Sequence, residues 1–129
     1  MSTINIKKES DELFTTDELA ELLEVRSDWL RKNRKSNNPI PFRPFGRNKV
    51  RYSKLEVLQW FGRKDLALRF YSTKTLSKKL KVTEEWLRIN RTKGKNPIPH
   101  RPLLGLVRYN ETELSAWIKN CGSKENNTQ

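Results

Sequence analysis

The residues of this chain equipped for chemistry are its arginines and lysines, and they are distributed unevenly. From Arg26 to Lys54 there are ten Lys and Arg against one acid, Asp28, and from Trp86 to Arg108 there are six and no acid. A guanidinium is a rigid fork of donors that fits phosphate oxygens or the O6/N7 edge of guanine, whereas an ammonium is a compact charge suited to phosphate. The chain carries a formal charge of +12, which favours a polyanionic partner without selecting a fold. An anionic membrane surface answers the same charge, and any single basic side chain is most simply a solvated one. The clustering is what argues for nucleic acid.

Other chemistry finds little support. The one histidine, His100, precedes Arg101-Pro102 and has no cysteine beside it, and Cys121 is the sole cysteine. That excludes an internal disulfide and a cysteine-based zinc site. There is no phosphate-cradling glycine loop, metal-ligand spacing or nucleophile motif, so the expectation is a non-enzyme with no metal, cofactor or small-molecule substrate. RNA remains open on charge alone, although exposed aromatics on a sheet are not evident. No run approaches the roughly 18 apolar residues of a membrane span, and the polar start of the chain does not read as a signal peptide. A reduced, cytoplasmic setting is expected.

The elements that must position these cations come in duplicate. Thr15–Phe61 aligns with Ser72–Ile118. Trp29, Leu30, Arg31, Asn33 and Arg34 meet Trp86, Leu87, Arg88, Asn90 and Arg91. Pro39-Ile40-Pro41 meets Pro97-Ile98-Pro99, Arg43-Pro44 meets Arg101-Pro102, and Val50-Arg51-Tyr52 meets Val107-Arg108-Tyr109. Glu56 then meets Glu113, and Trp60 meets Trp117. Self-similarity of this kind marks repeated structural units. The boundaries read as a flexible segment over 1–12, one unit over 13–62, a linker over 63–71, a second unit over 72–120 and a flexible tail over 121–129.

Each unit repeats one local pattern. A first helix begins near Thr15, which has capping-box spacing to Glu18, and buries Leu19, Leu22 and Leu23, or Leu76 and Leu80. Ser27 and Thr83 are the predicted N-caps of a second helix that turns Trp29 and Leu30 inward and ends near Lys35 or Lys93. Pro-Ile-Pro forbids further helix. Two short strands follow, around Gly46–Asn48 in one unit and Leu104-Gly105 in the other. A third helix starts after Ser53 or Asn110, with Glu56 and Glu113 completing capping boxes. It buries Leu55, Leu58 and Trp60/Phe61, or Leu114, Trp117 and Ile118, and Gly62 closes the first copy. All four tryptophans are predicted to pack in small cores. The fold class expected is mainly α with small β-hairpin wings: two tandem winged helix-turn-helix domains.

The stretches Asp17–Val25, Trp29-Leu30-Arg31-Lys32, Ile40-Pro41-Phe42, Gly46-Arg47 and Val50-Arg51-Tyr52-Ser53 resemble the excisionase-like and MerR-like winged helix-turn-helix domains, including AlpA-type small phage regulators. The likeness spans Thr16–Trp60 and extends more loosely over the second unit. It implies a bacterial, phage or mobile-element protein that binds double-stranded DNA specifically, as an excisionase-like architectural factor or a transcriptional regulator. A recombinase or integrase, or cooperative copies of the chain itself, would be its protein partners. The alternative is an adaptor, one unit holding DNA and the other such a partner.

On that plan the second helix reads base edges in the major groove. Arg31 and Arg88 are the foremost candidates, accompanied by Arg26, Ser27, Asp28 and Lys32, and by Thr83 and Glu85. Arg91 joins the base-edge candidates of the second unit, Arg34 and Lys35 fall to phosphate, and Lys93 is a further DNA contact. Glu84 and Glu85 would accept from cytosine N4 or, as the favoured reading, suit the helix N-terminus electrostatically. Arg47, Asn48 and Lys49 form a basic wing tip, and Arg43 and Arg101 suit phosphate from extended chain. Arg51 and Arg108 are expected to pair with acids of the third helix. The second wing departs from the pattern, with Leu103, Leu104 and Leu106 at its tip. These leucines would pack on the linker, hold a partner, or wedge into a minor groove.

Overall fold

The computed structural model describes residues 11–128; the flexibility expected over 1–10 and at Gln129 lies outside them. The chain divides into two compact units, Met1–Asp65 and Leu66–Gln129. The described residues form six helices and two small antiparallel three-stranded sheets, a mixed α/β architecture.

The first unit runs β1 (Leu13–Phe14), α1 (Thr16–Leu23), α2 (Ser27–Asn33), β2 (Arg43–Pro44), β3 (Val50–Ser53) and α3 (Lys54–Trp60). The second runs β4 (Phe70–Tyr71), α4 (Thr73–Leu80), α5 (Glu84–Lys93), β5 (Arg101–Leu103), β6 (Leu106–Asn110) and α6 (Glu111–Thr128). Each hairpin gains a third strand: β1 pairs with β3 through Phe14 and Tyr52, and β4 with β6 through Tyr71 and Tyr109. Those strands come from chain assigned by sequence to the linker or to the edge of the first unit. Residues 66–71 are therefore no linker. Leu66, Leu68, Phe70 and Tyr71 are buried, and the Asn110 amide donates to the carbonyls of Ala67 and Arg69. The segment from 121 on, expected as a flexible tail, continues α6 as far as Thr128.

The helix starts follow capping chemistry. Thr15 and Glu18 complete a reciprocal capping box, and Ser72 caps α4. Both first helices end on a left-handed residue, Glu24 (φ 56°) and Lys81 (φ 61°). Val25 N–H then closes on Ala20 at 2.9 Å, and Val82 N–H on Ser77 at 3.0 Å, which makes the sharp turn into the second helix. Thr83 caps α5 as predicted, accepting from Trp86 N–H. Ser27 does not cap α2: Arg26 holds that position and the Ser27 hydroxyl donates to Asp17 on α1. Asp17 is the nearer strong acceptor, and it ties the two helices together. The accepting half of the box expected at α3 and at α6 is present. Ser53 and Asn110 accept from the backbone N–H of Glu56 and Glu113, and both glutamate side chains also bind arginines of the hairpin, Arg43 and Arg101.

The core of the second unit is Tyr71, Leu76, Leu87, Ile98, Tyr109 and Leu114, with Leu80, Val82, Val107 and Trp117 packed against it. The equivalent Phe14, Leu19, Leu30, Ile40, Tyr52 and Val57 are buried in the first. Leu55 and Ile118, predicted as core, are exposed at 44% and 47%. A helix buries one face only, so apolar residues off that stripe are left outward. The tryptophans divide: Trp60 and Trp117 are half-buried, Trp29 is half-buried, and Trp86 is exposed.

Candidate nucleic-acid interface

The second helix of each unit buries one face and offers the other to solvent. On α2, Leu30 and Asn33 are buried, while Asp28, Arg31 and Lys32 are exposed at helical spacing, with Lys35 continuing the row just past the last turn. Arg31 Nη1 donates to Asp28 Oδ1 at 2.7 Å, with both groups more than half exposed. The equivalent row on α5 is Glu85, Arg88, Ile89 and Thr92, all exposed, and Arg88 pairs with Glu85 in the same i,i+3 fashion. One row carries three cations and one acid, the other a single cation and a single acid.

Several predicted contacts are engaged inside the fold. Arg34, expected on phosphate, donates to Thr16 Oγ1 at 3.2 Å and Tyr52 Oη at 3.1 Å, and its guanidinium stacks 5.7 Å from the Phe42 ring. Arg91 does the same to Thr73 at 3.3 Å and Tyr109 at 2.6 Å. These two arginines bolt the second helix to the first helix and the hairpin. A guanidinium's several donors make such three-way bridging easy.

Arg43 and Arg101, also expected on phosphate, form forked pairs with Glu56 and Glu113. The pairing gives Arg43 and Arg101 the role expected of the other hairpin arginines. Arg51 and Arg108 donate to the carbonyls of their own neighbours Val50 and Val107. The strand register supplies the reason. Arg43 lies directly across from Arg51, and Arg101 from Arg108. Two like charges directly opposed destabilise a ladder, and a glutamate on the following helix relieves each pair. The Glu56 carboxylate, by hydrogen bond and charge, holds the Arg43 guanidinium above its ordinary pKa. Arg101 and Glu113 are the more enclosed couple, at 22% and 14% side-chain exposure.

In the first unit Arg26, Lys32, Lys35, Arg47 and Lys49 remain, all exposed and without an ion pair among the described residues. Arg47, Asn48 and Lys49 sit on the hairpin turn, where Gly46 (φ 76°) and Asn48 (φ 61°) take left-handed conformations. Phe45 closes the turn, its N–H on Lys49 O at 2.7 Å, and its ring is 48% exposed. In the second unit Lys93 is exposed and the turn is reduced to Leu104 (φ 49°) and Gly105 (φ 90°), directly between the paired Leu103 and Leu106. Leu103 is fully buried, Leu106 half-buried and Leu104 47% exposed. A leucine in the left-handed region costs about 1–2 kcal/mol.

Sequence reasoning missed the buried amides. Asn33 Oδ1 accepts from Ile40 N–H and Asn90 Oδ1 from Ile98 N–H, each at 2.9 Å. They pin the Pro-Ile-Pro segment to the second helix and so set where the hairpin starts. The Trp60 indole N–H reaches Asn38 at 3.3 Å and that of Trp117 reaches Asn96 O at 3.1 Å, holding the same segment from the other side. An asparagine repeated before a repeated Pro-Ile-Pro was the available signal. His100 falls against Tyr109 (6.2 Å between rings) as Phe42 falls against Tyr52 (6.4 Å).

Among the described residues no helix is long and apolar enough to cross a membrane, and no group of three His, Cys, Asp or Glu is placed to hold a metal ion. Comparison with family models, curated proteins and solved structures gives no match to this chain.

Proposed function

We propose that the chain is a sequence-selective double-stranded DNA-binding protein whose two units follow the winged helix-turn-helix plan, second helix in the major groove and hairpin turn against an adjacent groove or backbone. The observation that carries this reading is the exposed row Asp28–Arg31–Lys32–Lys35, in one unit with the basic turn Arg47–Lys49. These cations are held outward by a scaffold that consumes the neighbouring arginines internally. Arg31, and Arg88 in the second unit, read guanine; Arg26, Lys32, Lys35, Arg47 and Lys49 neutralise phosphates. The biological role is that of an excisionase-like architectural factor or a transcriptional regulator, as the resemblance of Thr16–Trp60 suggests.

The test is electrophoretic mobility shift against a random duplex pool across a salt series. Selective binding whose log K falls against log salt with a slope of about −4.5 is expected if those five cations supply the phosphate contacts. Binding without selectivity, or none, removes the reading. A specific observation favours an adaptor as second reading: Trp86, Ile89 and Leu104 expose apolar surface in the second unit, where the first unit has Lys32 and a basic turn.

A further inference from the structure

The geometry points to Leu104 as an apolar wedge that enters the minor groove of duplex DNA, partly unstacks one base step and bends the helix. This inference rests on the DNA-binding reading and adds to it a division of labour between the two turns. The first turn holds the backbone with Arg47 and Lys49, whereas the second deforms the duplex.

Three features of the turn carry the inference. The ladder of β5 and β6 is complete to its last pair, Leu103 with Leu106, so Leu104 and Gly105 alone project beyond it. Both take positive φ, the geometry of a two-residue turn whose first position favours Asn, Asp or Gly. Leucine is among the poorest choices there, and about half of its side chain is left in water rather than used by the core, which already has Leu103. Burial cannot account for a residue that is both strained and exposed; an external apolar slot can.

The composition of the chain leading to this turn suits DNA. From Trp86 to Arg108 the sequence has no acid, and Lys93, Lys95 and His100 are exposed. The Leu104 turn also occupies the place in its unit that the cationic turn occupies in the other. Wedges of this kind are Leu, Ile, Phe, Met or Pro, and they kink duplexes by roughly 20–90°.

The experiment uses a duplex selected by the wild-type chain, dye-labelled at both ends and carrying 2-aminopurine through the site in separate preparations. Wild type is expected to shorten the end-to-end distance and raise 2-aminopurine emission at one step. Leu104→Asn, which suits the turn and so keeps the hairpin folded, is expected to bind with an unchanged salt slope, a roughly tenfold weaker affinity and neither signal. Leu104→Met is expected to retain both. If Leu104→Asn bends and unstacks the duplex as wild type does, the wedge is wrong while the DNA-binding reading stands. The wedge is equally wrong if the only defect of Leu104→Asn is in self-association or protein capture, which would make Leu104 a protein contact. Absence of any duplex binding by wild type removes both readings.

Discussion

The two units share what they bury and differ in what they show. Asn33 and Asn90, Arg34 and Arg91, the Arg43–Glu56 and Arg101–Glu113 pairs, and the two core tyrosines do the same mechanical work at the same places. On the surface the copies diverge. Lys32 is matched by Ile89, the half-buried Trp29 by the exposed Trp86, and a basic turn by Leu104-Gly105. A scaffold whose polar links are internal can change its outward face freely, because exposed substitutions away from such links change stability little. Duplication here therefore produced one frame with two surfaces.

The comparison can be strained first at the buried amides. Replacing Asn90 by Ala strands the Ile98 N–H in the core and is expected to cost about 1–3 kcal/mol in urea unfolding. Asn33→Ala should cost measurably less, because the Asn33 Nδ2 is buried without a hydrogen-bond partner and its loss recovers a penalty already present. Equal losses would show that the stranded Nδ2 carries no such penalty. The arginine–glutamate pairs come next. Arg101→Ala takes the forked partner from an enclosed Glu113, an expected loss of about 1–2 kcal/mol, between the values for surface and buried pairs. Arg43→Ala, with its guanidinium in solvent, should fall below that in the same assay.

The surface difference is sharpened by salt. Lys32→Ala, and separately Lys49→Ala, should each flatten the slope of log K against log salt by about 0.9, weakening binding across sequences, whereas Ile89→Ala should leave the slope unchanged. An equal effect at Ile89 would place both helices in the same electrostatic role.

The smallest expected difference is alkaline. Burial, and then its hydrogen bond to Glu111, raise the Tyr71 pKa above the ordinary value near 10. A group whose pKa is raised on folding contributes stability below its unfolded value and loses that contribution as pH rises through the folded one. Thermal unfolding from about pH 9 upward should therefore show a decline that Tyr71→Phe abolishes. The first unit has Phe14 at this place and should supply no matching decline.

Much of this was legible in the chain itself. Two copies, three helices in each, Pro-Ile-Pro as a break, Thr15 and Thr83 as caps and Gly62 as a stop all follow from rules acting over a few residues. The strands Leu13–Phe14 and Phe70–Tyr71 do not, because two residues hold no periodicity and gain their strand character only from β3 and β6. Trp86 and Leu55 read as core from residue type alone, and helix phase turned them outward. The candidate interface was legible as a cluster but not as individuals. Arg34, Arg43, Arg91 and Arg101 have the same side chain as Arg31, and nothing in composition says which guanidinium meets Tyr52, Glu56, Tyr109 or Glu113.

What the sequence by itself determined, then, is local: where helices start and stop, which segments repeat, and how much positive charge each carries. Tertiary structure alone decided which cations are spent on the fold and which face water. That choice depends on side chains brought together from positions 18 residues apart for Arg34 and Tyr52, and 12 for Arg101 and Glu113. A guanidinium takes whichever acceptor the packed backbone brings within about 3 Å, and no short-range pattern encodes that distance.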